Sequence, residues 1–78
     1  MTKQCERVLN YIKEFGSISP MEAFRDLGIT KLATRISEMI KEGINIEKKR
    51  EKAINRFGEP VYYMRYSLKK EKHDATQL

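Results

Sequence analysis

The sequence contains few of the side chains that bind metals or form disulfides. It has one cysteine, Cys5, one histidine, His73, and no tryptophan. A single cysteine cannot form a disulfide within the chain, and one cysteine with one histidine cannot complete a Cys/His zinc site. We therefore expect no metal site, no cofactor and no catalytic cysteine–histidine pair.

Long apolar runs and glycine-rich segments are also missing. A transmembrane helix needs roughly 20 apolar residues, and no run in this sequence approaches that length. The first residues, Met1–Glu6, lack the apolar stretch of a signal peptide. There is no glycine-rich phosphate loop and no paired-carboxylate motif. These absences predict a cytoplasmic protein that has no membrane partner and is not an enzyme.

The positive charge is concentrated in one part of the chain. With 78 residues there is room for one small domain, and the formal net charge is +5. Residues 1–30 are neutral overall, whereas residues 31–70 carry 11 basic and five acidic side chains. Such a concentration favours a polyanionic partner, most often nucleic acid, although a solvated lysine-rich surface is the alternative.

The first segment predicts an amphipathic helix over residues 3–15. Its apolar residues recur at the spacing of one helical face, and they are Cys5, Val8, Leu9, Ile12 and Phe15. Thr2 can cap the first turn, and Gly16 suits a left-handed residue at the end. The following Ser17–Ile18 is long enough only for a bridging fragment of strand.

A second helix is predicted from its start signal, Ser19-Pro20-Met21-Glu22. Serine at the cap, proline at the first position and glutamate three residues after the cap form a capping box. Gly28 ends this helix, and Met21, Phe24 and Leu27 form its apolar face.

A third helix is predicted to start at Thr30 as its cap and to run to about Glu42, before Gly43. Its buried stripe consists of Leu32, Ile36, Met39 and Ile40. The connection Gly28–Thr30 is about three residues long, so the second and third helices form a helix-turn-helix.

After Gly43 the apolar period changes from 3.6 to 2, which predicts two strands. One begins at Ile44 and Ile46, and the other spans Val61–Leu68, with Tyr62 and Tyr66 on its core side. The basic run Lys48–Lys52 and a turn-rich segment lie between them, so we expect a long hairpin with a basic tip. Residues 69–78 show no period and predict a flexible tail.

Three helices followed by a hairpin resemble the winged helix-turn-helix domain, especially the small proteins of this type that bacteriophages and prophages encode. The resemblance spans residues 3–68 and is carried by Leu27–Ile46 and by Tyr66-Ser67-Leu68. It implies an α+β, mainly α, winged helix-turn-helix domain over residues 1–68. It also implies sequence-specific binding of double-stranded DNA by a phage or bacterial transcription regulator in the cytoplasm of a bacterial host.

In such a domain the third helix enters the major groove, and its DNA-facing residues must point away from the apolar stripe. This selects Thr30, Lys31, Thr34, Arg35, Ser37, Glu38 and Lys41. Arg35 can contact a guanine edge, or it can pair with Glu38 or with an acid of the second helix. Glu38 can accept from a cytosine amino group, but we favour its holding Arg35 or Lys41, because a carboxylate repels phosphates.

The hairpin, or wing, supplies the second predicted DNA-binding site, which consists of Lys48, Lys49, Arg50, Lys52 and Arg56. A two-stranded ribbon with such a cluster can contact the phosphate backbone or the minor groove. The alternative is that the lysines protect an edge strand against aggregation.

Two functions remain open from the sequence. The first is a DNA-binding regulator that needs no cofactor and acts alone or as a homodimer. The second is a winged-helix protein that binds and modulates a host protein complex, such as a polymerase, a recombination factor or a defence system. Salt-sensitive binding to random duplex DNA distinguishes the first function from the second.

Overall fold

Three helices and a two-stranded antiparallel hairpin follow one another in the computed structural model, which describes residues 1–69. The elements are α1 (Lys3–Phe15), α2 (Pro20–Leu27), α3 (Leu32–Lys41), β1 (Ile46–Ile54) and β2 (Pro60–Leu68). The predicted architecture is confirmed. The predicted tail lies outside the described residues except for Lys69, whose backbone N–H donates to the carbonyl of Asn45 at 3.0 Å.

The predicted caps of the first two helices are present. The Thr2 side chain accepts from the backbone N–H of Cys5 at 3.2 Å, and Gly16 ends α1 with φ +92°, a value that glycine adopts without strain. In α2 the Ser19 hydroxyl accepts from the N–H of Glu22 at 3.3 Å, and the Glu22 carboxylate accepts from the N–H of Ser19 at 3.0 Å. Both helices therefore begin and end where local chemistry favours it.

The start of α3 differs from the prediction. Lys31 occupies the cap position and makes no capping hydrogen bond with its side chain, so the assignment of Thr30 as the cap is wrong. The turn is held instead by Ile29, which is buried and donates its N–H to the carbonyl of Ala23 at 3.0 Å. Because Ile29 is drawn into the core, Thr30 lies in an exposed bend before the helix.

The helices bury narrower faces than the apolar spacing predicted. In α2 the fully buried side chain is Ala23, whereas Met21 is 70% exposed and Phe24 is also exposed. In α3 the residues Leu32, Ile36 and Met39 are buried, but Ile40 is 40% exposed. The placement of Ile40 in the buried stripe is therefore wrong. Of the predicted apolar face of α2, Leu27 is half-buried and packs against the core, whereas Met21 and Phe24 lie outside it.

The hairpin is longer than the alternating pattern indicated. The nine residues of β1 pair with β2 from Ile46 opposite Leu68 to Ile54 opposite Pro60. The reversal is held by the side-chain oxygen of Asn55, which accepts from the N–H groups of Phe57 (2.9 Å) and Glu59 (3.0 Å). The basic run is therefore part of strand β1 and does not form the tip, where only Arg56 lies.

Within residues 1–69, the apolar contacts of the hairpin with the core are made by its base. Ile18 and Tyr66 exchange two backbone hydrogen bonds, at 2.8 and 2.9 Å, so the predicted bridging fragment is present. Tyr66 is buried with the helical core, and Ile46 and Leu68 pack against it. Tyr62 lies four residues further from the core and is 54% exposed, so its predicted burial is wrong.

A hydrogen-bonded carboxylate joins α1 to α2 on the surface. The Tyr11 hydroxyl donates to Asp26 at 2.7 Å, and the Arg25 guanidinium donates to the same carboxylate at 2.8 and 3.1 Å. These donors, led by Arg25, lower the pKa of Asp26 to about 2. The charged carboxylate therefore has more favourable contacts in the folded chain than in the unfolded chain.

We expect this linkage to give a defined pH dependence. The contribution of Asp26 to stability is complete above its unfolded pKa, near 4, and is lost as the pH falls towards 2. The difference in Tm between the parent and Asp26→Asn is expected to be full at pH 6 and to become much smaller as the pH falls from 4 to 2. Glu14→Gln is the control, since Glu14 makes no ion pair within residues 1–69. A difference at pH 2 as large as that at pH 6 would contradict the assigned cause.

Candidate nucleic-acid interface

The outward side of α3 is exposed because its apolar residues occupy the core side. Thr34 and Ser37 lie on this outward side together with Ala33, and lysines lie at its two ends, Lys31 and Lys41. The middle of this surface is therefore small and uncharged, which allows the helix backbone to approach another surface closely. Thr30 is also exposed and precedes it.

Arg35 and Glu38 lie at the flank of α3 and contact each other. One guanidinium nitrogen of Arg35 lies 3.4 Å from a carboxylate oxygen of Glu38. The buried thiol of Cys5 on α1 donates to the other Glu38 oxygen at 3.4 Å. The structural pairing favoured for Glu38 is therefore present, and a contact of Arg35 with a base stays a prediction.

The pairing of β1 with β2 divides the cations of the hairpin between two faces. Directly paired residues share a face, and Lys48, Arg50 and Lys52 pair with Tyr66, Met64 and Tyr62. All three cations are exposed, and successive ones are about 7 Å apart along the strand. We call Lys48, Arg50 and Lys52 the basic strip. The guanidinium carbon of Arg50 lies 4.6 Å from the ring centroid of Tyr62, a cation–π contact.

The opposite face of the hairpin carries charges that are largely compensated. Lys49 pairs with Arg65 across the ladder, and Glu51 pairs with Tyr63. Glu51 accepts from the guanidinium of Arg65 at 2.9 Å and from the hydroxyl of Tyr63 at 3.0 Å. These two donors, Arg65 first, hold the pKa of the Glu51 carboxyl below its usual range. Lys49 therefore does not belong to the basic strip.

A comparison with protein-family models finds a match to the winged helix-turn-helix domain over residues 3–71. The chain belongs to this family. No curated protein and no solved structure matches it. The winged helix-turn-helix is a DNA-binding fold, in which α3 takes the place of the recognition helix and the hairpin that of the wing. The assignment of individual residues to DNA contacts stays a prediction.

Two features of this winged helix-turn-helix domain were missed by reasoning from the sequence. One is the exposed Tyr62 beneath Arg50, which was assigned to the core. The other is Arg65, which contacts both the wing and α2. Alternation placed Arg65 opposite the core side of its strand, but the register that brings Glu51 beside it has no signal in the sequence.

The described part of the winged helix-turn-helix domain contains neither a cluster of metal ligands nor a helix that could span a membrane. Within residues 1–69, no three His, Cys, Asp or Glu side chains are grouped as a metal ion would require. No helix in this part is long and apolar enough to cross a membrane. An open groove between the start of α2 and the outer wing is lined by Pro20, Met21, Val61 and Tyr62, among others.

Proposed function

We propose that the protein binds double-stranded DNA, with α3 in the major groove and the basic strip on the adjacent phosphate backbone. The observation that carries the proposal is that Lys48, Arg50 and Lys52 follow one another on one face of β1 and are all exposed. Neither strand places an acidic side chain on that face. A phosphate backbone is a line of negative charge, and a line of cations matches it.

The outward side of α3 supports the same function. Thr34 and Ser37 are small enough for the helix to enter a groove about 12 Å wide, and Lys31 and Lys41 are exposed at its ends. Lys31 lies where the N-terminal end of α3 has a partial positive charge, which also attracts phosphate.

We extend the proposal to sequence-specific regulation of transcription in a bacterial cytoplasm. This step is supported by the resemblance to small bacteriophage and prophage proteins, and by the exposed hydrogen-bonding side chains of α3, which can read base edges. A homodimer would bind a palindromic site. Selection of bound sequences from random duplexes tests specificity, and a palindromic result would support the dimer.

The experiment that tests DNA binding is a titration of the full chain against a labelled random duplex at three salt concentrations. Non-specific affinity is expected in the range of about 10⁻⁴–10⁻⁶ M at physiological salt. If the basic strip, Lys31 and Lys41 all contact phosphates, the slope of log K against log salt is expected to be about −4.5. Binding that is absent, or that does not depend on salt, would contradict the proposal.

A protein-binding function is the second candidate, and the exposed apolar groove favours it. Met21 is 70% exposed beside Val61 and Tyr62 of the wing, and exposed apolar patches often mark protein contacts. A host polymerase, recombination factor or defence complex would be the target. The duplex titration separates the candidates, because a protein-binding module without a DNA function shows no phosphate-dependent slope.

A further inference from the structure

The side chain of Arg65 joins three parts of the chain. One terminal nitrogen donates to the Glu22 carboxylate on α2 at 3.1 Å and to the hydroxyl of Ser17 at 3.0 Å. Its Nε donates to the Glu51 carboxylate on β1 at 2.9 Å. The Arg65 side chain is 25% exposed, and it makes these contacts on the face of the wing opposite the basic strip.

Each acceptor of Arg65 is itself held in place. The Glu22 oxygen that accepts from Arg65 also accepts the backbone N–H of Ser19 in the capping box of α2. Ser17 precedes Ile18, which bridges to the backbone of Tyr66. The Glu51 oxygen also accepts from Tyr63. The guanidinium therefore connects a fixed point on the helices with a fixed point on the wing.

The contact between Arg65 and Glu51 holds the strand segment that carries the basic strip. Glu51 lies between Arg50 and Lys52 in the sequence, so holding its side chain on one face directs its two neighbours to the other face. Among residues 1–69 the outer wing has no other support from the core, since burial ends at Tyr66 and the residues between it and the tip are half-buried or exposed. An isolated two-stranded hairpin is marginally stable in water.

We infer that Arg65 is a positioning residue for DNA binding. It sets the angle of the wing so that the basic strip and α3 reach the same duplex, without touching DNA itself. This inference rests on the proposed function. Arginine suits the role because its planar group donates to the two carboxylates from separate nitrogen atoms in fixed directions, whereas the three donors of lysine rotate on a single nitrogen at the end of a flexible stem.

Arg65→Lys tests the inference because it keeps the positive charge and removes the two-sided connection. We expect duplex binding to weaken about three- to tenfold, the cost of ordering a mobile wing on binding. Arg25→Lys is the matched control, since Arg25 is exposed on α2 and its bonds reach only Asp26. The control is expected to bind like the parent.

A double-mutant cycle separates positioning from a direct contact. The basic strip is replaced by alanine in the parent and in the Arg65→Lys background. If Arg65 acts through the strip, the strip replacement is expected to cost less affinity in that background. If the binding free energies lost in Arg65→Lys and in the strip replacement add fully in the combined variant, Arg65 acts independently of the strip, and the inference is overturned.

Residual dipolar couplings give a second readout that does not depend on DNA. In the parent, one alignment tensor is expected to fit the helices and the wing together, whereas Arg65→Lys is expected to need two. Glu51→Ala is a second variant that leaves the capping box of α2 intact and is expected to have the same effect. A single tensor in both variants would overturn the inference.

If the parent does not bind duplex DNA, the proposed function fails, and the couplings alone decide whether Arg65 fixes the wing.

Discussion

Replacing Lys48, Arg50 and Lys52 together by alanine is expected to weaken duplex binding about a hundredfold. Each phosphate contact with DNA releases about 0.9 counterion, which contributes about 1 kcal/mol at physiological salt, and about 3 kcal/mol corresponds to roughly two orders of magnitude in Kd. The salt slope is expected to become flatter by about 2.7 units, since three fewer counterions are released. Titrations of a selected and a scrambled duplex at three salt concentrations measure both quantities. The loss is expected to be equal for the two duplexes, because phosphates carry no sequence information.

Lys49→Ala is the control for this replacement. It removes a cation from the same strand but from the opposite face, where Lys49 pairs with Arg65. We expect its affinity to remain within about threefold of the parent. An equal loss for Lys49 and for each strip residue would show that the wing acts through its total charge. A triple variant that binds like the parent would remove the basic strip from the interface and favour the protein-binding function.

Ile36→Ala is expected to lower the free energy of unfolding by about 2–5 kcal/mol, the usual cost of a cavity in a packed core. Ile36 is 1% exposed and lies between the other buried residues of α3. A loss of this size is a large fraction of the total stability of a small domain, which is about 5–15 kcal/mol. Chemical denaturation measured by circular dichroism gives the value.

Thr34→Ala serves as the matched control in α3, because Thr34 lies two residues earlier on the outward side. Its expected cost is under about 1 kcal/mol. Equal costs for the two substitutions would mean that the core side and the outward side of α3 have been exchanged. The same variant is then informative in the duplex titration, where Thr34 is a predicted groove contact and Ile36 is not.

The helices were predictable where the signals were local. Thr2, Gly16 and the Ser19–Glu22 box act within one helical turn, so their chemistry can be read directly from the sequence. Thr30 is also a good capping residue, yet it does not cap α3, because burying Ile29 shifts the cap by one residue to Lys31. Local preference was overruled there by a contact with the core, which the sequence alone does not show.

The sequence predicts which residues belong to the candidate site, but it does not predict how the residues of the wing are arranged relative to one another. Spacing on α3 correctly assigned Thr34 and Ser37 to the exposed side, because a helix has one strongly apolar stripe. The segment Lys48–Lys52 is polar on both faces, so no apolar alternation indicates that it belongs to a strand, and it was assigned to the tip. Once it is part of β1, the period of two places Lys48, Arg50 and Lys52 on one face. The meeting of Glu51 with Arg65 depends on the pairing with β2.

The separation of the buried core from the basic strip has a consequence for how this domain can vary. The residues that fill the core lie in the helices, the turns between them and the base of the hairpin, whereas the three side chains of the strip are exposed, with Lys48 beside the buried Tyr66 and the other two further out on the wing. Replacing one of these cations opens no cavity, so the free energy of unfolding that the core provides does not change. Affinity for a polyanion and integrity of the fold can therefore change independently, and a lineage of such proteins can adjust one through single surface substitutions while the other stays constant.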